Sequence, residues 1–344
     1  MVSLEQIKEE VKKILSSGNI KYFIGYENFG SDWQVRPAFL RKPEDVDRLV
    51  WTPACFHNLV RFLHDEKRRR AREKNPDTRP VGLIVKGCDS RAINVLIQEK
   101  YIERGDVYLI GVSCELMGVI DEVKLKRHLP GLKPRKVLFG QKETIKVITD
   151  DDKEIEIEAS EILADRCLEC PANFPVVADV ILGEKIKKTV TSPYQSISSY
   201  EKMSVEERWS FWQDQFARCL RCYACRSVCP MCYCDECVAD SIAYAVTAET
   251  TADEKAQKIK WVERNPEPSE NIFYHLVRAI HLAGRCVDCG ECERVCPVEI
   301  PLRLLNKKME KEARELFGYE VGFDASQPPL IACFRDNDPQ DFIR

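Results

Sequence analysis

The sequence predicts an α/β domain followed by a mostly helical domain built around closely spaced cysteines. Three observations carry this expectation. Two short apolar runs, VGLIVKG at 81–87 and DVYLIGVSC at 106–114, flank a helical segment, the spacing of a right-handed parallel βαβ unit. Of the 17 cysteines, 1–166 hold only Cys55, Cys88 and Cys114, whereas 167–296 hold thirteen. From about 205 onward, apolar residues recur at the helical rather than the strand period.

The elements follow in order. Leu4, Ile7, Val11 and Leu15 form one helical stripe over about 4–17. IKYFIGY at 20–26 reads as a strand, and Pro43 with Glu44 and Asp45 opens a helix, as Pro and acidic residues do in a first turn. ACFHNLVRFLHDEKRRRAREK at 54–74 reads as a continuation of that helix, with His57 and His64 on one face as ordinary surface or core residues. The basic run 67–74 reads as a solvated helix end, since aromatic interleaving is missing. The segment 88–102 is the βαβ helix, capped by Asp89 or Ser90. Two alternating segments, 143–149 and 153–158, form a hairpin around an acidic turn. In 206–219, Trp209, Trp212 and Phe216 share a core-facing stripe, and helices follow at about 253–263, 268–283 and 301–316. The expected division is an α/β domain over 1–185, a polar linker over 186–204, a helical domain over 205–320 and a tail over 321–344.

Composition narrows the class. Charged residues are 31% and hydrophobic residues 44%, an ordinary globular balance. Lys plus Arg is 52 against 56 Asp plus Glu, a net charge of -4, which argues against a nucleic-acid partner. No apolar run reaches the ~18 residues of a membrane span, and the charged N-terminal stripe resembles neither signal nor transit peptide. A cytoplasmic, reducing location is expected. There cysteine pairs ligate metal more often than they form disulfides.

Cys219, Cys222, Cys225 and Cys229 follow C-x2-C-x2-C-x3-C with Pro230 next, and Cys286, Cys289, Cys292 and Cys296 repeat it before Pro297. This is the bacterial two-cluster ferredoxin spacing, in which the fourth Cys of each run ligates the other cluster. One 4Fe-4S cluster is therefore assigned to Cys219, Cys222, Cys225 and Cys296, the other to Cys286, Cys289, Cys292 and Cys229. Zinc sites show facing C-x-x-C knuckles instead. Residues 230–285 are an insertion between the runs.

Cys88 and Cys114 each stand just past a buried strand, at the sheet edge where α/β folds bind ligands. Cys167-x2-Cys170 supplies a knuckle, so the four are either a third four-thiolate site or buried structural cysteines. Cys232, Cys234 and Cys237 crowd one segment. They are read as a fourth cluster completed by Cys55 or Cys333, as a zinc site, or as thiols offered to a partner subunit. Cys55 sits at an expected helix start, where a lowered thiol pKa or a ligand role is conceivable. Cys333 is read as core. Lys86, Gly87, Asp89, Ser90 and Arg91 form either an anion cradle at a helix start or a cation pair capping a sheet edge.

Three segments resemble the beta subunits of coenzyme F-420-reducing hydrogenases and related formate dehydrogenases: VGLIVKGCDSRAINVL, YLIGVSCELMGVID and CLECPANFPVVADVILGEK. They cover about 80–185. The resemblance implies an N-terminal flavoprotein domain that binds FAD beside one 4Fe-4S cluster, held by Cys88, Cys114, Cys167 and Cys170. The chain departs from the family at Gly87-Cys88-Asp89, where a Pro-Cys turn is usual, and it lacks G-x-G-x-x-G. The expected function is an electron-transfer subunit of an oxidoreductase complex. Electrons would pass between a hydride carrier (the deazaflavin coenzyme or NAD(P)H) at FAD and a hydrogenase, formate dehydrogenase or heterodisulfide-reductase-type partner. The alternatives are a pure wiring subunit without its own substrate and a zinc-stabilised interaction module.

Overall fold

The computed structural model describes residues 2–114, 118–140, 143–186, 192–237, 239, 249–257 and 262–333. The chain divides into two compact units: Met1–Pro193 with Gly322–Pro328, and Tyr194–Val321 with Pro329–Arg344.

In the first unit, helix α1 (Leu4–Ser16) is fixed at its start by a capping box between Ser3 and Gln6, and it buries Ile7 and Val11. Strands β1 (Phe23–Phe29) and β2 (Ser31–Leu40) pair antiparallel. The sequence reading missed β2 for a physical reason. Trp33 and Val35 are buried, but beyond Arg36-Pro37 the buried set shifts to Ala38 and Leu40, which breaks the alternation. Pro37 is tolerated because β2 is an edge strand.

The expected long helix over 54–74 is shorter. A 3-10 turn spans Leu59–Arg61 and α2 spans Phe62–Arg72. His57 lies before both, so it does not share a helix face with His64. Its carbonyl instead accepts hydrogen bonds from Tyr26 and Lys86. The basic end of α2 is organised by a single buried carboxylate, Glu66, which pairs with Lys21, Arg69 and Arg70.

The βαβ unit is present as β3 (Val81–Val85), α3 (Gly87–Gln98) and β4 (Val107–Val112), with β3 and β4 parallel. Among the described residues, the larger sheet runs β2-β1-β3-β4-β8. Helix α4 (Glu122–His128) leads to a three-stranded antiparallel sheet of β5 (Pro134–Phe139), β6 (Thr144–Thr149) and β7 (Glu154–Glu158). The last two are the expected hairpin. Two single turns follow, α5 (Ala159–Ile162) and α6 (Asp165–Leu168), before β8 (Val180–Leu182) joins β4 in parallel.

The second unit is helical. The segment read as a linker holds α7 (Gln195–Glu201), whose Ile197 and Tyr200 are buried. Helix α8 (Val205–Ala217) opens with a Ser204–Glu207 capping box and buries Trp212 and Phe216, while Trp209 stays exposed. The short α9 (Ala224–Ser227) and α12 (Glu291–Arg294) each follow a C-x2-C pair. Between them lie α10 (Ala252–Gln257) and α11 (Pro268–Leu282), and α13 (Leu302–Phe317) comes last. The remainder of the helix expected at 253–263 falls partly outside the described residues. Tyr200, Trp212, Phe216, Ala279, Ile300, Leu302 and Leu305 form the unit's core, and Cys219, Cys292 and Cys296 pack against it. Of the expected tail, Gly322–Pro328 belongs to the first unit: Asn94 and Gln98 of α3 donate to the Gly322 and Asp324 carbonyls.

Candidate functional site

The two cysteine runs of the second unit adopt one backbone twice. In the first, Arg221 and Tyr223 flank Cys222 with φ of 53° and 61°; in the second, Asp288 and Gly290 flank Cys289 with φ of 55° and 66°. Three of these four residues carry a Cβ in the left-handed region, which costs ~1–3 kcal/mol each and persists only where the surroundings impose it. The turns coil each loop so that N–H groups meet sulfur. Arg221 N donates to Cys219 Sγ and Ile300 N to Cys296 Sγ, both at 3.4 Å. Cys219, Cys222, Cys225 and Cys296 line one cavity of about 350 Å³, closed by Pro297, Ile300 and Leu302. Cys229 lies within electrostatic reach of Cys289, and Cys292 of Cys286 and Cys289. Thus Cys296 lines the first run's cavity, while Cys229 bonds with Cys232 and lies within reach of Cys289. Burial pushes the Cys286 thiol up to about 12, with Asp288 adding to it. Thiols held up in this way release protons when a metal takes them as thiolates.

Sequence reading missed what surrounds these sulfurs. The insertion contributes α11, whose buried face sets Asn271, His275 and Arg278 among Tyr274, Ala279 and Leu282. Asn271 Nδ2 donates to the carbonyls of Phe216 and Cys219 at 3.1 and 2.9 Å, which fixes the loop's entry. His275 Nε2 lies 3.3 Å from Cys219 Sγ, its ring stacked on Phe216. Burial, with Arg278 and Arg221 beside it, pushes His275 down to about 3, so the imidazole is neutral. Arg278 Nη1 donates to Cys225 Sγ at 3.1 Å. The sequence carried no signal for this, since polar residues at i, i+4 and i+7 ordinarily mark a helix's solvent face.

In the first unit, Cys88 stands at the start of α3, Cys114 just past β4, and Cys167 and Cys170 in and after α6. Cys88 is within electrostatic reach of Cys114 and Cys170, and Cys114 of Cys167 and Cys170. Burial pushes the Cys114 thiol up to about 12. Val119 N and Ala172 N donate to Cys167 Sγ and Cys170 Sγ at 3.4 Å, and Cys114 N donates to the Asn173 carbonyl at 2.9 Å. Gly87 is what lets the knuckle close on the sheet edge, because a Cβ there would sit 1.6 Å from the Ala172 carbonyl oxygen. A cleft of about 440 Å³ adjoins the group, lined by Trp51, Thr52, Cys55, Lys86, Cys114 and Phe139 among others.

Residues 215–300 match the family model of the 4Fe-4S dicluster domain. The F420-dependent formate dehydrogenase subunit beta of Methanocaldococcus jannaschii is 25% identical, the match covering 84% of this chain and 82% of that protein. The F420-dependent formate dehydrogenase 1 subunit beta of Methanococcus maripaludis is 23% identical over 93% of this chain and 91% of its own length. The chain is similar to these beta subunits over most of their length, and its residues 215–300 match a 4Fe-4S dicluster domain. A chain of the F420-reducing NiFe hydrogenase complex from Methanosarcina barkeri aligns with 18% identity and a TM-score of 0.36, covering 47% of this chain and 57% of that one. A dicluster domain accounts for at least two 4Fe-4S clusters, and the relatives are named as subunits of larger enzymes.

Among the residues read as an anion cradle, only Lys86 lines the cleft. Its buried Nζ pairs with Asp89 at 3.0 Å and reaches the Tyr26 hydroxyl and the His57 carbonyl. Asp89 does not cap α3 as its first residue. Its carboxylate accepts from Lys86 N, three residues earlier. Ser90 Oγ donates to the Gly87 carbonyl and accepts from Val176 N, and Arg91 is buried against the Phe323 ring. These four therefore knit α3 to its neighbours.

Cys232 lies beside Cys229 and Arg278, and Cys234 is within reach of Cys232 and Cys237. Cys237 packs beside Tyr274 and Val262. Cys55 contradicts the expectation of a lowered thiol: it follows no helix start, and burial pushes it up to about 11. Cys333 is half-buried after a 3-10 turn rather than in a core. Among the described residues, no three His, Cys, Asp or Glu side chains converge on a single-ion position. No described helix is long and apolar enough to cross a membrane.

Proposed function

We propose that this chain is the electron-transfer beta subunit of a formate dehydrogenase- or hydrogenase-type complex, passing electrons between a hydride carrier and a partner oxidoreductase. The observation that carries the reading is the paired loop geometry: two cysteine runs with the same left-handed turns, Cys296 lining the first run's cavity and Cys229 within reach of Cys289. Cys219, Cys222, Cys225 and Cys296 hold one 4Fe-4S cluster, and Cys286, Cys289, Cys292 and Cys229 a second. Cys88, Cys114, Cys167 and Cys170 hold a third. In every set a backbone or side-chain N–H is aimed at sulfur: at Cys219 and Cys296, at Cys292, and at Cys167 and Cys170. Such bonds stabilise anionic sulfur and tune the potential.

A flavin, FAD by the resemblance to the beta-subunit family, is assigned to the cleft beside Cys114. Trp51 and Phe139 line the cleft with aromatic rings, and buried Lys86 lines it with a cation. When bound there, the flavin exchanges a hydride on one side and single electrons on the other. Lys86, ion-paired with Asp89 and bonded to Tyr26, would help hold the flavin there. Gly118 keeps the wall open beside Cys167, whose Sγ a Cβ there would meet at 2.7 Å. The relatives' names favour coenzyme F420 as the carrier and formate dehydrogenase as the partner.

The test is iron, sulfide and flavin per chain on anaerobically purified protein, with stopped-flow bleaching by reduced F420 against NADH. About twelve irons, one flavin and bleaching by reduced F420 support the reading. A colourless preparation holding zinc would sink it. Clusters without flavin, bleached by neither carrier, would leave a wiring subunit alone.

A further inference from the structure

The two cysteine sets of the dicluster domain have different electrostatic surroundings. Beside Cys219 and Cys225 stands Arg278 from the insertion helix α11. It is buried, its Nη1 is 3.1 Å from Cys225 Sγ, and its Nη2 reaches the Cys225 carbonyl at 3.4 Å and Cys232 Sγ at 3.9 Å. Among the described residues its Nε has no hydrogen-bond partner, and it also lies within electrostatic reach of Cys229 and Cys292, at longer range than its contact with Cys225. A second buried guanidinium, Arg221, lies over the Tyr274 ring at 4.2 Å, and its backbone N–H donates to Cys219 Sγ. Around Cys286 acids and bases are paired. Asp288 is gripped by Arg303 at 2.7 and 2.9 Å and by Lys307 at 3.2 Å, and Lys307 also pairs with Glu310. These two acids and two bases cancel, while buried Arg285, next to Cys286, turns its Nη2 to the Met231 carbonyl at 3.1 Å.

Resting on the ligand assignment above, we infer that Arg278 is a positioning residue whose buried charge gives the cluster at Cys219, Cys222, Cys225 and Cys296 the higher reduction potential of the pair. Reduction adds one electron and one negative charge to that cluster while the cluster at Cys286, Cys289 and Cys292 loses one. No bond or proton moves. A fixed cation in a low-dielectric site stabilises the more negative state, and N–H bonds to sulfur act in the same direction. Electrons thus run downhill from the Cys286 side to the Cys219 side. The insertion between the two runs is the device that sets the slope.

The experiment is an EPR-monitored redox titration of the full chain, with iron and sulfide measured on each sample. Wild type should hold at least eight irons in clusters and show two resolved midpoints in the dicluster domain. Arg278→Gln, with iron content retained, should lower the higher midpoint by at least a factor of ten in the reduction equilibrium, about 59 mV for one electron. The lower midpoint should move less. Arg278→Lys, which keeps the charge, should hold the higher midpoint within a factor of three of wild type. It carries the test if the Gln variant does not assemble. An unchanged higher midpoint in Arg278→Gln, or a shift confined to the lower one, overturns the inference. So does a Lys variant whose higher midpoint falls tenfold. Failure of the underlying assignment looks different: wild type would lack two clusters by iron and sulfide before any variant is made.

Discussion

Replacing Gly87 by Ala tests how the first unit brings its four cysteines together. The added Cβ would lie 1.6 Å from the Ala172 carbonyl oxygen, 2.7 Å from its carbon and 3.2 Å from the Phe174 oxygen. A tolerable carbon–oxygen contact is about 3.3 Å, so the Ala172 backbone must retreat by about 1.7 Å. Backbone cannot swing aside as a flexible side chain can. The retreat pulls on two hydrogen bonds that tie the knuckle to the sheet, Val176 N to Ser90 Oγ and Cys114 N to the Asn173 carbonyl, both 2.9 Å. Overpacking costs ~1–3 kcal/mol and each lost bond ~1 kcal/mol, so the expected loss is roughly 3–5 kcal/mol. Cys170 moves with Ala172, whose N–H it accepts, and about four irons per chain should be lost with it. Urea unfolding and iron analysis read both effects. Gly105→Ala is the control, since among the described residues nothing lies within 4 Å of its Cβ position. A Gly87→Ala chain with full iron and stability within about 0.5 kcal/mol of wild type would refute the reasoning.

Two further outcomes are expected. Burial works to raise the Glu66 carboxyl, but hydrogen bonds from Arg69, Arg70, Lys21 and Tyr22 overcome it and hold the group at about 2. Because the folded value is depressed, this stabilisation is complete above the ordinary carboxylate range near 4.5 and is lost as pH falls toward 2. Glu66→Gln should therefore cost about 3 kcal/mol at neutral pH and flatten the acid limb of a plot of unfolding midpoint against pH. In the dicluster domain, Cys229→Ser should alter the EPR signal of the cluster on the Cys286 run, and Cys296→Ser that of the cluster on the Cys219 run. Variants that each disturb only their own run's cluster would refute the crossed assignment.

Much of the first unit was legible because local patterns there agree with the fold. The β3–α3–β4 unit follows from two buried apolar runs and a helix of ordinary length, and the β6–β7 hairpin from clean alternation. Where a local pattern is interrupted, the reading failed. Pro37 shifts the alternation of β2, and the run after Pro53 continues no helix over 55–58, where the His57 carbonyl takes hydrogen bonds from Tyr26 and Lys86. The candidate site divides in the same way.

Sequence by itself determined the two cysteine runs, since ligand spacing is a property of a short loop and needs no tertiary information. It also placed Cys88 and Cys114 at strand ends. Tertiary structure alone decided what those sulfurs face. Glycine at 87 reads locally as an opening for a ligand, yet the space is filled by Ala172, which stands 85 residues away. The insertion reads as a spacer, yet its helix returns a buried arginine and a neutral histidine to the sulfurs of Cys225 and Cys219. Charge and hydrogen bonding act through space at distances of 3–4 Å. No spacing rule in a linear sequence encodes which distant side chain comes that close.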